Sequence, residues 1–114
     1  MTTTLELDAD SPRIRTAQDA MDLIATTFVP GGAETIVVPV DRLDPEFFRL
    51  STGVAGEIVQ KFVSYRRRLV VLGDITEHVA RSEAFRDWIR EVNRGHDIRF
   101  VATPDDLDAA FGAA

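Results

Sequence analysis

Apolar residues form short unbroken runs at several places along the chain, and such runs are typical of buried strands. The clearest runs are residues 36–38 and 69–72, and the second of them stops at Gly73. A strand that is covered on both faces of a parallel sheet has this pattern, so 69–72 is the predicted central strand. A weaker strand is predicted over residues 5–7, and a fourth over residues 98–101.

Between these runs, apolar positions recur at helical spacing, which predicts helices. The predicted helices cover residues 17–28, 54–64, 82–93 and 103–111, and a short helical turn carries Phe47 and Phe48. The spacing places Phe28 on the buried face of the first helix. It places Trp88 in the buried stripe of the third, where core packing is favoured over a cofactor contact.

The predicted strands and helices alternate, and strands that are joined through helices are normally parallel. A chain of 114 residues has the length of one ordinary domain. We therefore expect residues 1–114 to form a single α/β domain, with a small, mostly parallel, four-stranded sheet and flanking helices.

Composition narrows the class of partner. The 19 acidic and 13 basic side chains give a net charge of −6, which disfavours nucleic acid as a partner. The absence of cysteine excludes disulfides and thiolate chemistry. The chain contains no signal-peptide pattern and no apolar run of membrane-spanning length, so we expect a cytoplasmic protein with no membrane contact.

The candidate binding residues lie where the predicted strands end. Ligands of open parallel sheets bind beyond the carboxyl ends of the strands. Ser51, Thr52 and Gly53 begin a helix at this rim, and Asp74 follows the central strand. Two hydroxyls beside unpaired helix amides favour a small anion. A simple capped helix start is the more common use of such residues.

Glu57 and Lys61 are four residues apart on the second predicted helix, an order that favours a surface ion pair over an acid–base pair. Gly53 and Gly56 reduce helix stability, and the usual reason is close packing against a neighbour. His78 and His96 lack the spacing of metal ligands and are interpreted as surface or packing residues. No recognised catalytic, phosphate-binding or dinucleotide motif occurs, so we expect no catalytic residue, metal or cofactor.

The central part of the chain resembles the domain of unknown function 4180, an uncharacterised bacterial family. The resemblance is carried by FFRLSTGVAGEIVQKF, LVVLGD, RSEAFRDWIREVNRG and IRFV, and extends over about residues 19–111. The family has no established activity, so the resemblance implies no mechanism.

The order of elements is more distantly similar to sulfate-transporter and anti-sigma-factor antagonist (STAS) domains, which implies a STAS-like sandwich. In those domains a serine at a helix start can be phosphorylated and controls partner binding, and Ser51 or Thr52 matches its position. The aspartate that usually precedes this serine is replaced by Leu50.

Three hypotheses about function follow. The first is a non-catalytic regulatory or protein-interaction module that meets a protein partner or small anion at the rim. The second is a small-molecule-binding protein or enzyme that uses Glu57, Lys61 and Asp74. The third is a homodimer that packs through the apolar stripe and small residues of the second helix.

Overall fold

The computed structural model describes residues 4–110 and contains one four-stranded sheet. The strands are β1 (Thr4–Glu6), β2 (Thr35–Pro39), β3 (Arg68–Leu72) and β4 (Ile98–Val101). Their order in the sheet is β1-β2-β3-β4, and every neighbouring pair is parallel. The predicted α/β class is confirmed, and the described sheet is entirely parallel rather than mostly parallel.

Five α-helices accompany the described sheet. They are α1 (Ala17–Ala25), α2 (Val54–Ser64), α3 (Thr76–Arg81), α4 (Glu83–Val92) and α5 (Pro104–Ala110). Short 3₁₀ helices occupy Val40–Arg42, Pro45–Phe48 and Leu50–Thr52. The predicted end of the last helix near Phe111 lies outside the described residues.

The main core lies between one face of the sheet and the connecting helices. The register places Leu5, Ile36, Leu69 and Ile98 side by side across the four strands. A single buried cluster joins the last three of these residues to Ala20 and Ile24 of α1, Ala55, Ile58 and Phe62 of α2, and Phe85 and Ile89 of α4. These helices therefore cover the same face of the sheet.

The opposite face is also closed at its centre. Side chains alternate between the faces of a strand, so Val37 and Val70 point away from the main core, yet both are fully buried. Helix α5 packs against β3 and β4. In β3, Leu69, Val70 and Val71 are all at most 1% exposed, which confirms the prediction of a central strand that is covered on both faces.

Helix α1 is shorter than predicted and ends at Ala25. The hydroxyls of Thr26 and Thr27 donate to the carbonyl oxygens of Leu23 and Ile24, each at 2.6 Å, and such bonds compete with continued helix. Phe28 consequently leaves the helix and is 52% exposed, so its predicted burial is wrong.

Helix α3 was not predicted. It has only six residues, none of them is buried, and its N-cap residue Ile75 supplies no side-chain hydrogen bond. A helix with so little apolar surface produces no periodic signal in the sequence. It nevertheless positions His78 and Arg81 at the rim discussed below.

Candidate functional site

The chain between β2 and α2 runs along the carboxyl ends of the strands in three consecutive 3₁₀ turns. Asp44 caps the second turn by accepting a hydrogen bond from the Glu46 N–H at 3.0 Å. Phe47 and Phe48 then insert into the core and are at most 7% exposed. The predicted helical turn is thus a 3₁₀ turn whose two aromatic rings anchor the rim.

These rings belong to an aromatic cluster that also fixes part of α3. Phe48 lies edge-on to Phe85 at a centroid distance of 5.8 Å, and Trp88 is 5.9 Å from Phe85. The ring of His78 stacks on Phe48 at 3.9 Å with an interplanar angle of 9°. Trp88 and His78 are therefore packing residues, as predicted.

Thr52 has a structural role. Its hydroxyl lies 2.9 Å from the carbonyl oxygen of Glu46 and 2.8 Å from that of Arg49, and it accepts a hydrogen bond from the Val54 N–H at 3.3 Å. The side chain thereby joins two 3₁₀ turns to the start of α2. Thr52 thus has a structural role just before α2, but the N-cap of α2 is Gly53 and the helix has no side-chain cap bond.

Ser51 differs from its neighbour because its side chain is exposed and has no hydrogen bond within the part of the chain that the structure describes. It lines an open groove of about 440 Å³ between the 3₁₀ turns and helices α3 and α4. Two arginines and an imidazole, belonging to Arg49, His78 and Arg81, line the same groove. The groove therefore contains two cationic side chains, those of Arg49 and Arg81, beside the imidazole of His78.

The two arginines of the groove are in different surroundings. Arg49 lies 3.7 Å from the carboxylate of Glu46, and both side chains are about half exposed or more, so this pair is weak. Arg81 is exposed and has no ion pair with any residue between 4 and 110. Its guanidinium is available to an incoming anion.

Gly53 is the N-cap of α2 and has a φ of 78°, a left-handed conformation that favours glycine. Apart from adjacent residues and the backbone of the helix itself, no heavy atom lies within 4 Å of a Cβ built at Gly53 or at Gly56. The expectation that close packing requires these glycines is therefore wrong. Backbone conformation explains Gly53, while Gly56 faces open space.

Glu57 and Lys61 line a different open groove, together with Ala17 and Gln60. The expected ion pair between them is not formed, because no N–O distance between their side chains is within 4.0 Å. The two side chains line the same surface without forming an ion pair.

Asp74 is exposed and closes a turn at the start of α3, where its carboxylate accepts a hydrogen bond from the Thr76 N–H at 2.9 Å. The Thr76 hydroxyl donates to the same oxygen. These two bonds, the hydroxyl first, lower the pKa of Asp74 below its ordinary value. Asp74 lines neither groove, so the structure does not bring it together with Glu57 and Lys61.

Sequence reasoning missed Arg49, His78 and Arg81 as rim residues. Arg49 is two positions from Ser51, so its place at the rim could have been predicted from the sequence. His78 and Arg81 lie at the rim only because of helix α3, which the sequence pattern does not predict. Over residues 4–110, no group of three or more histidine, cysteine, aspartate or glutamate side chains is placed to hold a metal ion. None of the described helices has the length and apolar character needed to cross a membrane.

The architecture defines a small α/β protein with an all-parallel, four-stranded sheet and a polar rim at the carboxyl ends of its strands. The family described as a domain of unknown function (DUF4180) matches residues 1–111, and the chain belongs to this family. The match reaches further towards the N-terminus than the residues that first suggested it. No curated protein and no solved structure matches the chain, and nothing in these comparisons supports the more distant similarity to STAS domains.

Proposed function

We propose that this protein is a non-catalytic regulatory or interaction module that binds a small anion, or an anionic group of a protein partner, in the rim groove. The observation that carries the proposal is the convergence of Arg49, His78 and Arg81 on the groove that contains the exposed hydroxyl of Ser51. The two arginines bring positive charge to one groove of a chain whose net charge is −6.

The chemistry of these side chains suits an oxyanion. A guanidinium presents several N–H donors in a plane and binds carboxylate or phosphate oxygens in pairs. A serine hydroxyl adds a further donor. The stacking of His78 on Phe48 holds the imidazole in place, so its position at the groove requires no ordering on binding.

Regulation through Ser51 is a further part of this proposal. The hydroxyl is exposed, and a phosphate attached to it would lie in a groove that is lined by arginines. The match of Ser51 to the phosphorylated serine of STAS domains rests on the sequence resemblance alone. Thr52 is a poorer candidate for modification because its hydroxyl is already engaged.

The alternative of an enzyme or small-molecule site around Glu57, Lys61 and Asp74 has less support, because Asp74 does not line the groove of the other two. The homodimer stays a prediction, but its original argument is weakened. Ala55, Ile58 and Phe62 of the α2 stripe are buried in the core of their own chain.

The proposal is tested by following amide NMR signals during titration with inorganic phosphate, against chloride at the same ionic strength. We expect saturable shifts confined to residues 49–52 and 78–82. The double variant Arg49→Gln, Arg81→Gln should bind phosphate about two- to fivefold more weakly or worse, as expected for the loss of exposed charge pairs.

The matched control is Arg90→Gln, which alters an exposed arginine of α4 that does not line the groove. It should bind phosphate as the parent chain does. Shifts that do not saturate, or equal binding by the double variant and the parent chain, would remove the groove as an anion site.

A further inference from the structure

A second surface of unusual character lies at the opposite end of the sheet, where β2 and β3 begin. Four large apolar side chains are exposed there: Phe28 is 52% exposed, Val29 58%, Val63 42% and Tyr65 41%. They come from the loop after α1 and from the end of α2. With Arg66 and Arg67 they form what we call the amino-end patch.

The rings of the amino-end patch are held in a fixed arrangement. Phe28 and Tyr65 meet edge to face with their centroids 6.2 Å apart. The guanidinium of Arg67 lies over the Phe28 ring at 4.1 Å, and its Nε–H donates to the Thr27 hydroxyl at 2.8 Å. A ring with a cation on its face is an established contact geometry that limits the motion of both groups.

The loop beneath Phe28 is also constrained. The Gly32 N–H donates to the Val29 carbonyl oxygen at 2.8 Å, closing a tight turn. A Cβ at Gly32 would lie 1.9 Å from the Thr27 carbonyl oxygen, so only glycine fits this close approach. Exposed apolar side chains on a rigid loop lose little conformational freedom when a partner covers them.

Arg66 of the patch has a backbone conformation that is uncommon for arginine. Arg66 follows the C-cap residue of α2, Tyr65, and has a φ of 56°, the left-handed conformation in which glycine is preferred. The Arg67 N–H donates to the Phe62 carbonyl oxygen at 2.9 Å, which completes a helix end that glycine would make with less strain. Arginine at this position places an exposed cation next to Tyr65.

The charge of the amino-end patch indicates which kind of partner can bind there. Arg66 and Arg67 are consecutive cations on a chain of net charge −6, and one exposed carboxylate, that of Glu34, lines the groove that Phe28 and Arg67 share, so the cations outnumber it two to one. Two copies that met patch to patch across a two-fold axis would bring these cations together, and like charges that face each other oppose association. A partner segment with carboxylates is electrostatically complementary.

We propose that the amino-end patch docks a segment of another protein in which an apolar side chain is flanked by aspartate or glutamate. The apolar side chain packs against Phe28 and Tyr65, and the carboxylates pair with Arg66 and Arg67. This surface lies at the other end of the sheet from the rim groove and does not depend on the function proposed for that groove.

The test selects a random-sequence peptide library, displayed on phage, on the purified chain and removes peptides that also bind the variant Phe28→Ser, Tyr65→Ser. The enriched peptides should combine a leucine or aromatic residue with acidic neighbours. Because the selection itself removes binders of Phe28→Ser, Tyr65→Ser, the independent measurement uses Arg66→Glu, on which the affinity of the enriched peptides should fall severalfold. The control Arg90→Glu, on the exposed side of α4, should leave affinity unchanged.

Thermal unfolding of each variant separates loss of binding from loss of fold, and Tyr65→Ser alone replaces the double variant if the latter does not fold. The proposal is overturned if no peptide is enriched, if enriched peptides lack carboxylates, or if Arg66→Glu and Arg90→Glu bind equally. It is also overturned if light scattering shows a dimer that Tyr65→Ser dissociates, since a second copy would then occupy the patch.

Discussion

Gly53 and Gly56 lie at the start of helix α2. We expect alanine at Gly56 to raise stability and alanine at Gly53 to lower it. Gly56 lies inside α2, and no heavy atom is within 4 Å of an added Cβ. Alanine at this position reduces the entropy lost on folding without a steric cost. Gly56→Ala should therefore raise the free energy of unfolding by about 0.5–1 kcal/mol.

Gly53 has equal space around it but a φ of 78°. An alanine in this conformation is strained by about 1–2 kcal/mol, which exceeds the gain from restricting the unfolded chain. Gly53→Ala should lower the free energy of unfolding by about 1 kcal/mol. Comparing the two variants thus separates the effect of backbone conformation on stability from the effect of available space.

The assay is urea unfolding followed by far-ultraviolet circular dichroism, with thermal unfolding as a second measurement. At about 2 cal/mol/K of unfolding entropy per residue, 1 kcal/mol corresponds to about 4 °C in a chain of 114 residues. We expect the midpoints of the two variants to lie about 6–8 °C apart. A Gly56→Ala variant that is less stable than the parent chain would refute the reasoning, because it would require a neighbour in contact with position 56.

Two further predictions concern the rim. Thr52→Val should lower the free energy of unfolding by about 1 kcal/mol through loss of the hydroxyl contacts, whereas Ser51→Ala should change it by less than about 0.5 kcal/mol. Equal effects in urea unfolding would contradict the roles assigned to the two residues. Asp74 has a lowered pKa in the folded protein, so its ionised form contributes stability above about pH 4 that is lost as the pH falls through the folded pKa. Asp74→Asn should therefore lose less stability than the parent chain between neutral and acidic pH. The free energy of unfolding is measured at both pH values. An equal loss in both proteins would show that the bonds from Thr76 do not stabilise the ionised carboxylate.

The strands were the most predictable part of the fold. Residues 36–38 and 69–72 are apolar without interruption because both faces of the sheet are closed there, and the burial of Val37 and Val70 shows the cause. Helices α2 and α4 were equally readable, since each buries residues such as Phe62 or Phe85 at helical spacing. Burial imposes a pattern of apolar residues on a strand or helix, and this pattern can be recognised in the sequence without knowing which elements it packs against.

The parts that were missed depend on contacts that carry no such pattern. Phe28 continues the spacing of α1, but the threonine hydroxyls end the helix before it. None of the residues of helix α3 is fully buried, so Arg81 and Ser51 line the same groove through a segment without hydrophobic periodicity. Glu57 and Lys61 have the spacing of an ion pair, yet exposed side chains gain too little from pairing to be fixed by spacing alone.

The strand order β1-β2-β3-β4 bears on where a ligand or partner can bind to this fold. Open parallel sheets commonly bind ligands in a crevice at a topological switch point, where successive connections depart to opposite sides. Here the described connections all advance in one direction, and the sheet has no such point. The rim groove is accordingly formed outside the sheet, by the turn Leu50–Thr52 and by the short helices α3 and α4, and surfaces built from turns and loops tolerate sequence change better than strands do.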